Sequence, residues 1–561
     1  MIFFLVVAYV ALGFLAFGKL PFTFFQQDEW AIFGNYIYWE KASLGWWERL
    51  FIYEQDTHII PFSNLFSFLQ FKAFGLNFFY YGISSILLHI INAILVYVLS
   101  TIITNKKSVG YIAGAVFLIS SVTHQAVTWV ATSPGTLGAT FFTILSLIFF
   151  FKFMQSNTKK VSGLLLVLLL LIASLFFKET SVFLFGLIPV LWLILGGARK
   201  EKHPKALFFV FCFFVTFYIL FRLFILFFGY ESTSDPQYIS QPTDIAAYAF
   251  RIPTVPLKFI AQSIIPQSTL ISIGNTLVEI AYPQFAQQGA PDPYISQTIA
   301  VDIISYLSSI IFLMFFFVVY RFHKRLKKEK LAKAILVSFV GIVLSSLPFV
   351  LIPGKAGYFS LIDGRHLYLS NVFLSIALST VLYGLYRWIP KRQITIPVFI
   401  LILMAIVIFN IRLIRRDLNV QVGNGIIRTS ILHTISNTYP TLSSRVVFYT
   451  QADKSYYGLP EEEKILPFQS GFGQTLLVWY NSKGENFPSC FFKEKYLYVL
   501  LEEGYRECEG RGFGYFRKMN SLKKAVIEYG IPVESIVAFS YDSSSNKLTD
   551  ISDRVRSLIT K

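Results

Sequence analysis

The chain has 561 residues, of which 55% are hydrophobic, 18% aromatic and only 14% charged. An ordinary soluble protein carries about 25% charged residues, so this chain cannot cover its own surface with charge. Disorder, collagen-like structure and a coiled coil are excluded by the same composition. The net charge of +17 would suggest nucleic acid in a soluble protein. Here the basic residues sit between apolar blocks, where the positive-inside rule accounts for them and no nucleic-acid partner is expected.

The apolar residues run in blocks of membrane-spanning length. The first, Ile2–Phe17, has no basic segment before it and no small-residue cleavage site after it, so it reads as a retained span and not a removed signal peptide. Further blocks are predicted at Phe78–Ile103, Val109–Val122, Gly135–Phe153, Val161–Phe177, Ser181–Leu195 and Ala206–Phe228. The last four are Ile299–Tyr320, Leu331–Ile352, Leu367–Tyr386 and Ile394–Ile411, giving about eleven spans. The predicted fold is a polytopic α-helical membrane protein with a small C-terminal mixed α/β domain.

Lysines and arginines fix the orientation. Lys106 and Lys107, Lys159 and Lys160, Arg199 to Lys205, Arg321 to Lys333, and Arg387 to Arg392 all fall on one side if the N-terminus is cytoplasmic. Only Arg412, Arg415 and Arg416 fall on the other. A plasma-membrane protein is expected, with residues 1–411 in the membrane domain and 412–561 outside the cytoplasm. The outer loops are 20–64 and 229–297; Val255–Ile265 in the second reads as re-entrant or interfacial. In the tail, Arg445–Thr450 and Ser535–Tyr541 have strand patterns, and Ser521–Tyr529 and Asp553–Thr560 helical ones. Cys490 and Cys508 are the only cysteines there, and a bridge between them would add about 3 kcal/mol by loop entropy; two separate buried thiols fit the spacing as well.

Several outer residues could carry chemistry. Asp28-Glu29 is an acidic pair just past the first span. Such a pair can accept an acceptor's proton or bind a divalent cation, or simply solvate a loop. Asp56 and His58 follow in the same loop, then His124 to Trp129 between the third and fourth blocks. Lys178-Glu179 interrupts an otherwise continuous apolar stretch, which means either a tight outer turn or a polar cavity. Arg365-His366 enters the tenth block. Arg365 there can give two hydrogen bonds to a phosphate or snorkel to headgroups. The histidines and cysteines form no metal-ligand spacing.

Phe74-Gly75-Leu76-Asn77-Phe78-Phe79, followed by Leu88-His89-Ile90-Ile91-Asn92-Ala93, resembles the second-span signature of GT-C membrane glycosyltransferases. It is most similar to the O-mannosyltransferases with lumenal tetratricopeptide repeats and their bacterial relatives. His124 to Trp129, Ser174 to Thr180 and Arg365 to Leu369 resemble three further motifs of that family, in the right order. The sequence departs from the pattern at Thr123-His124 and Phe177-Lys178, and its tail shows no tetratricopeptide period.

The resemblance implies a hexosyltransferase that moves a monosaccharide from a polyprenyl-phosphate donor to a hydroxyl of a protein or glycan acceptor at the outer membrane face, with inversion. It implies Asp28 as base and Glu29 as its orienting neighbour. Lys178 and Arg365 would hold the departing lipid phosphate, with Glu179, His366, His58, Asp56, His124 and Trp129 as further substrate contacts. His89 and Asn92 would pack behind the site. No cofactor is required by it, although a divalent cation is compatible. Two alternatives share parts of this pattern: a lipid-linked oligosaccharide flippase or other transporter, and a polysaccharide polymerase or ligase.

Overall fold

The computed structural model describes residues 2–26, 28–52, 59–156, 161–195, 245–281, 293–351, 361–388, 392–456, 462–468 and 471–560, with isolated positions from 213 to 224 and at 283. In the membrane part the helices are α1 (Ile2–Phe17), α2 (Glu29–Lys41), α3 (Pro61–Phe74), α4 (Phe78–Thr104), α5 (Lys107–Leu118), α6 (Ser133–Gln155), α7 (Val161–Phe177) and α8 (Leu184–Ile194). They continue with α9 (Ile245–Ile264), α10 (Gln267–Ala281), α11 (Pro293–Arg325), α12 (Glu329–Ser346), α13 (Gly364–Trp388) and α14 (Arg392–Thr438). Every predicted apolar block coincides with one of these helices except 206–228, which lies largely outside the described residues. Seven described helices are long and apolar enough to cross a membrane; Lys107–Leu118, Ser162–Phe177 and Glu179–Ile194 are shorter apolar helices. The chain is a polytopic helical membrane protein.

The turn into α4 shows how local sequence sets an element. Gly75 ends α3 at φ +53°, a left-handed conformation that costs a glycine little. Asn77 then caps α4, its side chain accepting from the Phe79 amide at 3.3 Å. Inside the bundle α4 packs along α5 and α6, α6 along α7, and α12 along α13. His89 bridges three helices here: its Nδ1 lies 2.7 Å from the Tyr368 hydroxyl and its Nε2 2.9 Å from the Leu118 carbonyl. Asn92 donates to the Leu137 carbonyl at 3.0 Å and to the Tyr368 hydroxyl at 3.3 Å. These bonds engage both His89 ring nitrogens and the Asn92 amide nitrogen and join α4, α5, α6 and α13, while Asn92 Oδ1 is buried with no hydrogen bond among the described residues.

The predicted boundary at 411/412 falls inside a single helix. The apolar stretch ends at Ile411, but α14 continues unbroken to Thr438 as a stalk. Arg415, at the point of exit, donates to the Leu15 carbonyl at 2.7 Å. The sheet domain itself begins at Arg445. It holds β1 (Arg445–Ala452), α15 (Phe472–Ser482), α16 (Glu494–Glu502), β2 (Gly504–Cys508), β3 (Arg511–Phe516), α17 (Met519–Tyr529), β4 (Ile536–Asp542), β5 (Lys547–Asp550) and α18 (Ser552–Thr560). The strand order is β2-β3-β1-β4-β5, with β1 parallel to both neighbours and each edge strand antiparallel. Cys490 and Cys508 form a disulfide with Cα atoms 6.6 Å apart.

This domain is clasped to the membrane part by α2, which packs against α15 and α16. Lys41 Nζ donates to Asn486 Oδ1 at 2.8 Å. Arg428 on the stalk is buried, donating to the Pro467 carbonyl at 2.8 Å and to the Phe25 carbonyl at 3.5 Å. The sheet domain therefore sits at the helix ends that carry Asp28.

Candidate active site

Four connections converge at that end of the bundle: the segment before α2, the loop before α6, the turn after α7, and the start of α13. Each delivers one residue singled out by the sequence. The start of α13 can come so close because residue 364 is glycine; a Cβ there would collide with the Val122 carbonyl oxygen.

Arg365 is the centre of the arrangement. Its guanidinium lies 4.2 Å from the Trp129 ring centroid, a cation–π stack that holds the plane fixed. Its Nη2 is 3.2 Å from Asp363 Oδ2, and its Nε is buried with no hydrogen bond among the described residues. A small cavity beside it is lined by Arg365, Lys178, His366, Thr136 and Thr140. Lys178 Nζ donates to Thr136 Oγ1 at 2.7 Å. The His366 ring packs on Phe349, centroids 4.8 Å apart, and closes one side.

Two cations share this low-dielectric corner with one carboxylate. Burial, and then the nearby Arg365 charge, push Lys178 down to about 7; Asp363 opposes the shift only in part. A bound anion would relieve both effects, so the corner is organised for negative charge. Asp28 stands within the field of Arg365. Burial, and then the adjacent Glu29, push its carboxyl up to about 6, against the opposing pull of Arg365. A carboxylate so shifted is a stronger base than an ordinary aspartate and is still ionised at neutral pH.

Glu29 is built in differently. It is buried, and its two oxygens accept from the Ala131 amide at 3.2 Å and the Gln26 amide at 3.3 Å. It ties the Asp28 segment to the loop that carries Trp129, and so sets where Asp28 stands. Glu179 accepts from the Ile59 amide at 2.7 Å, joining the Lys178 turn to the start of α3. His124 has both ring nitrogens engaged away from the cavity, Nδ1 at 2.5 Å from the Ser121 carbonyl and Nε2 at 3.0 Å from Asp417 Oδ2. The structure thus brings together Asp28, Lys178, Arg365, His366 and Trp129, and turns Glu29, Glu179 and His124 to backbone and stalk contacts. Asp56 and His58 lie outside the described residues.

Some contributing residues carried no sequence signal. Thr136 sits in an unremarkable helix start. Gln262 and Gln267 hold the Ile362 peptide from both sides: Gln262 Oε1 accepts from its amide at 2.8 Å, and Gln267 Nε2 donates to its carbonyl at 2.5 Å. A buried glutamine in an apolar stretch was the one available hint.

Among the described residues, the one group of three candidate metal ligands is Cys490, Cys508 and Glu509, whose cysteines are already joined to each other. At the site, Asp363 pairs with Arg365 and Glu29 serves two amides, while Asp28 is half-buried.

No family model matches this chain, and no curated protein matches it. Among solved structures it is similar to ArnT from Cupriavidus metallidurans bound to undecaprenyl phosphate, at 12% identity and a TM-score of 0.37 over 96% of this chain and 93% of that one. The apo state of the same protein gives 12% identity and a TM-score of 0.36 over 96% and 92%. Likeness at that level decides neither the fold nor the activity.

Proposed function

We propose that the protein is a membrane glycosyltransferase that takes a monosaccharide from a polyprenyl-phosphate donor and passes it to an acceptor hydroxyl, at the membrane face that bears Asp28. The observation that carries this reading is the convergence of Lys178 and Arg365 on one cavity within the field of Asp28. The motif resemblance had assigned those three residues to phosphate and base from sequence alone.

In the proposed step, Asp28 takes the proton of the acceptor hydroxyl as its oxygen attacks the anomeric carbon. The bond from that carbon to the phosphate oxygen breaks, and the electron pair leaves with the lipid phosphate. Lys178 and Arg365 receive the phosphate in a partly dehydrated corner, where charge stabilisation is strongest. Attack opposite the leaving group inverts the anomeric centre. Trp129 fixes the guanidinium plane and Glu29 fixes the Asp28 segment, so little reorganisation is needed during the reaction. The basic loops at the opposite helix ends support an extracytoplasmic position for this face.

A transporter would place its ionisable groups near mid-bilayer. The buried Lys258–Asp302 pair, 2.7 Å apart, joins α9 to the first third of α11. The test is incubation of the purified protein with labelled polyprenyl-phosphate sugars and a cell-envelope extract. Mass analysis should find a component that has gained one hexose; no gain with any of these donors would overturn the reading.

A further inference from the structure

The C-terminal domain is wound in both directions from its central strand. From β1 the chain passes through α15, α16 and the edge strand β2 to β3 on one side, then through α17 to β4 on the other. Parallel crossovers are right-handed, so the two connections must lie on opposite faces of the sheet. The packing agrees. Phe448 and Tyr515 meet Tyr480 and Phe472 on one face, whereas Val447, Tyr449 and Ile536 cluster with Leu522 and Val526 on the other. Where the winding reverses, an open sheet leaves a crevice beyond the carboxyl ends of its strands, and that is where such folds bind ligands.

The crevice is present, with a volume of about 490 Å³. The ends of β1 (Tyr449 to Asp453), β3 (Arg517, Lys518) and β4 (Ser540 to Asp542) line it, with Glu462 to Lys464 as a lip. Its walls are held in place. Glu503 accepts from the Arg517 amide at 2.6 Å, Gln451 donates to the Tyr449 hydroxyl at 3.0 Å, and Asp453 accepts from the Ser543 amide at 3.0 Å.

The lining chemistry selects the ligand. A nucleotide at a switch point needs a glycine-rich turn and a helix N-terminus for its phosphates. Here β1 runs into Asp453-Lys454-Ser455 and β4 turns straight into β5. Of these strands only β3 leads directly into a helix, α17, and there the Arg517 and Lys518 amides already donate to Glu503. The four lining carboxylates outnumber the three cations Lys464, Arg517 and Lys518. Carboxylates, an amide, hydroxyls and cations alternate within one cleft. A sugar hydroxyl is donor and acceptor at once and can use such neighbours together. We propose that this crevice is a second binding site, for a neutral, polyhydroxylated saccharide. From its lip the chain runs to Pro467, which Arg428 links to the Phe25 carbonyl, so the crevice is tied through the stalk to the segment that carries Asp28. Naming that glycan the acceptor rests on the transferase reading; the binding itself does not.

The test uses the full chain in detergent micelles and saturation-transfer NMR. The probes are neutral gluco-, manno- and chito-oligosaccharides, with ADP and inorganic phosphate for comparison. At least one oligosaccharide should bind. Gln451→Trp, which fills the crevice from an exposed position, should weaken it about tenfold or more, and Gln451→Ala serves if the larger residue disturbs folding. Asp28→Asn should leave binding unchanged. The proposal is overturned if no oligosaccharide binds at about 5 mM, if ADP or phosphate binds in their place, or if Asp28→Asn abolishes binding while Gln451→Trp does not. Failed sugar transfer with intact saccharide binding would sink the transferase reading alone.

Discussion

The guanidinium of Arg365 lies 4.2 Å from the Trp129 ring centroid while its Nη2 reaches Asp363 at 3.2 Å. A planar fork stacked on an indole presents its remaining donors in one fixed direction, which a lysine ammonium on a flexible stem cannot do. Arg365→Lys keeps the charge and loses both the stack and the fork. Donor KM should rise about tenfold with kcat changed less, and Trp129→Leu should move KM the same way. Steady-state kinetics in varied donor will show this; unchanged donor KM in both variants would return Arg365 to a headgroup role.

Asp28→Asn keeps the shape of a half-buried side chain and removes its basicity. Loss of a general base should lower kcat about 10²–10⁴-fold. Thermal unfolding should be unchanged, because the structural ties of this segment run through Glu29 and not Asp28. A well-folded variant with near-normal turnover would remove Asp28 from the mechanism.

The two shifted groups set a pH profile. Asp28 works as a base only when ionised, which holds above about 6. Lys178 attracts phosphate only when protonated, which holds below about 7. For the free enzyme, kcat/KM should therefore fall below about 6 and again above about 7. Bound phosphate favours the Lys178 cation, so the alkaline limb of kcat should lie higher than that of kcat/KM. Lys178→Arg replaces a titrating cation by a permanent one and should abolish the alkaline limb while keeping the acidic one. An alkaline limb unaltered in Lys178→Arg would assign it to another group.

Much of this was legible before the structure, and for identifiable reasons. Span positions follow from hydropathy because a backbone in lipid has few options. The tail strand at Arg445 and the helix ending at Tyr529 follow from periodicity. The end of the last helix was not legible, because hydropathy reports where lipid stops and α14 stays helical for a further stretch in water. The family resemblance singled out Asp28, Lys178 and Arg365; in the structure Lys178 and Arg365 line one cavity and Asp28 lies within the field of Arg365, but residue type alone could not separate Asp28 from Glu29. That distinction depends on which carboxylate the Ala131 and Gln26 amides claim, and those contacts exist only in three dimensions. The contact of His124 was not legible for the same reason: its partner, Asp417, is on a stalk that sequence alone did not extend that far.

The Ile362 peptide offers the last test. Gln262 Oε1 takes its amide proton at 2.8 Å and Gln267 Nε2 holds its carbonyl at 2.5 Å. Ile362 directly precedes Asp363, the partner of Arg365, so the two glutamines position the phosphate corner without touching it. Gln262→Leu strands a buried amide and should cost about 1–3 kcal/mol of stability. A purely structural residue would stop there. A positioning residue should also raise donor KM several-fold, because the start of α13 is no longer pinned. Gln262→Glu restores the acceptor oxygen for the Ile362 amide and should recover most of the donor KM, even though it loses the 3.3 Å hydrogen bond from Gln262 Nε2 to Ser305. Thermal unfolding and donor kinetics on the same two variants separate the cases. Lower stability with unchanged donor KM in Gln262→Leu would reduce the clamp to a packing contact.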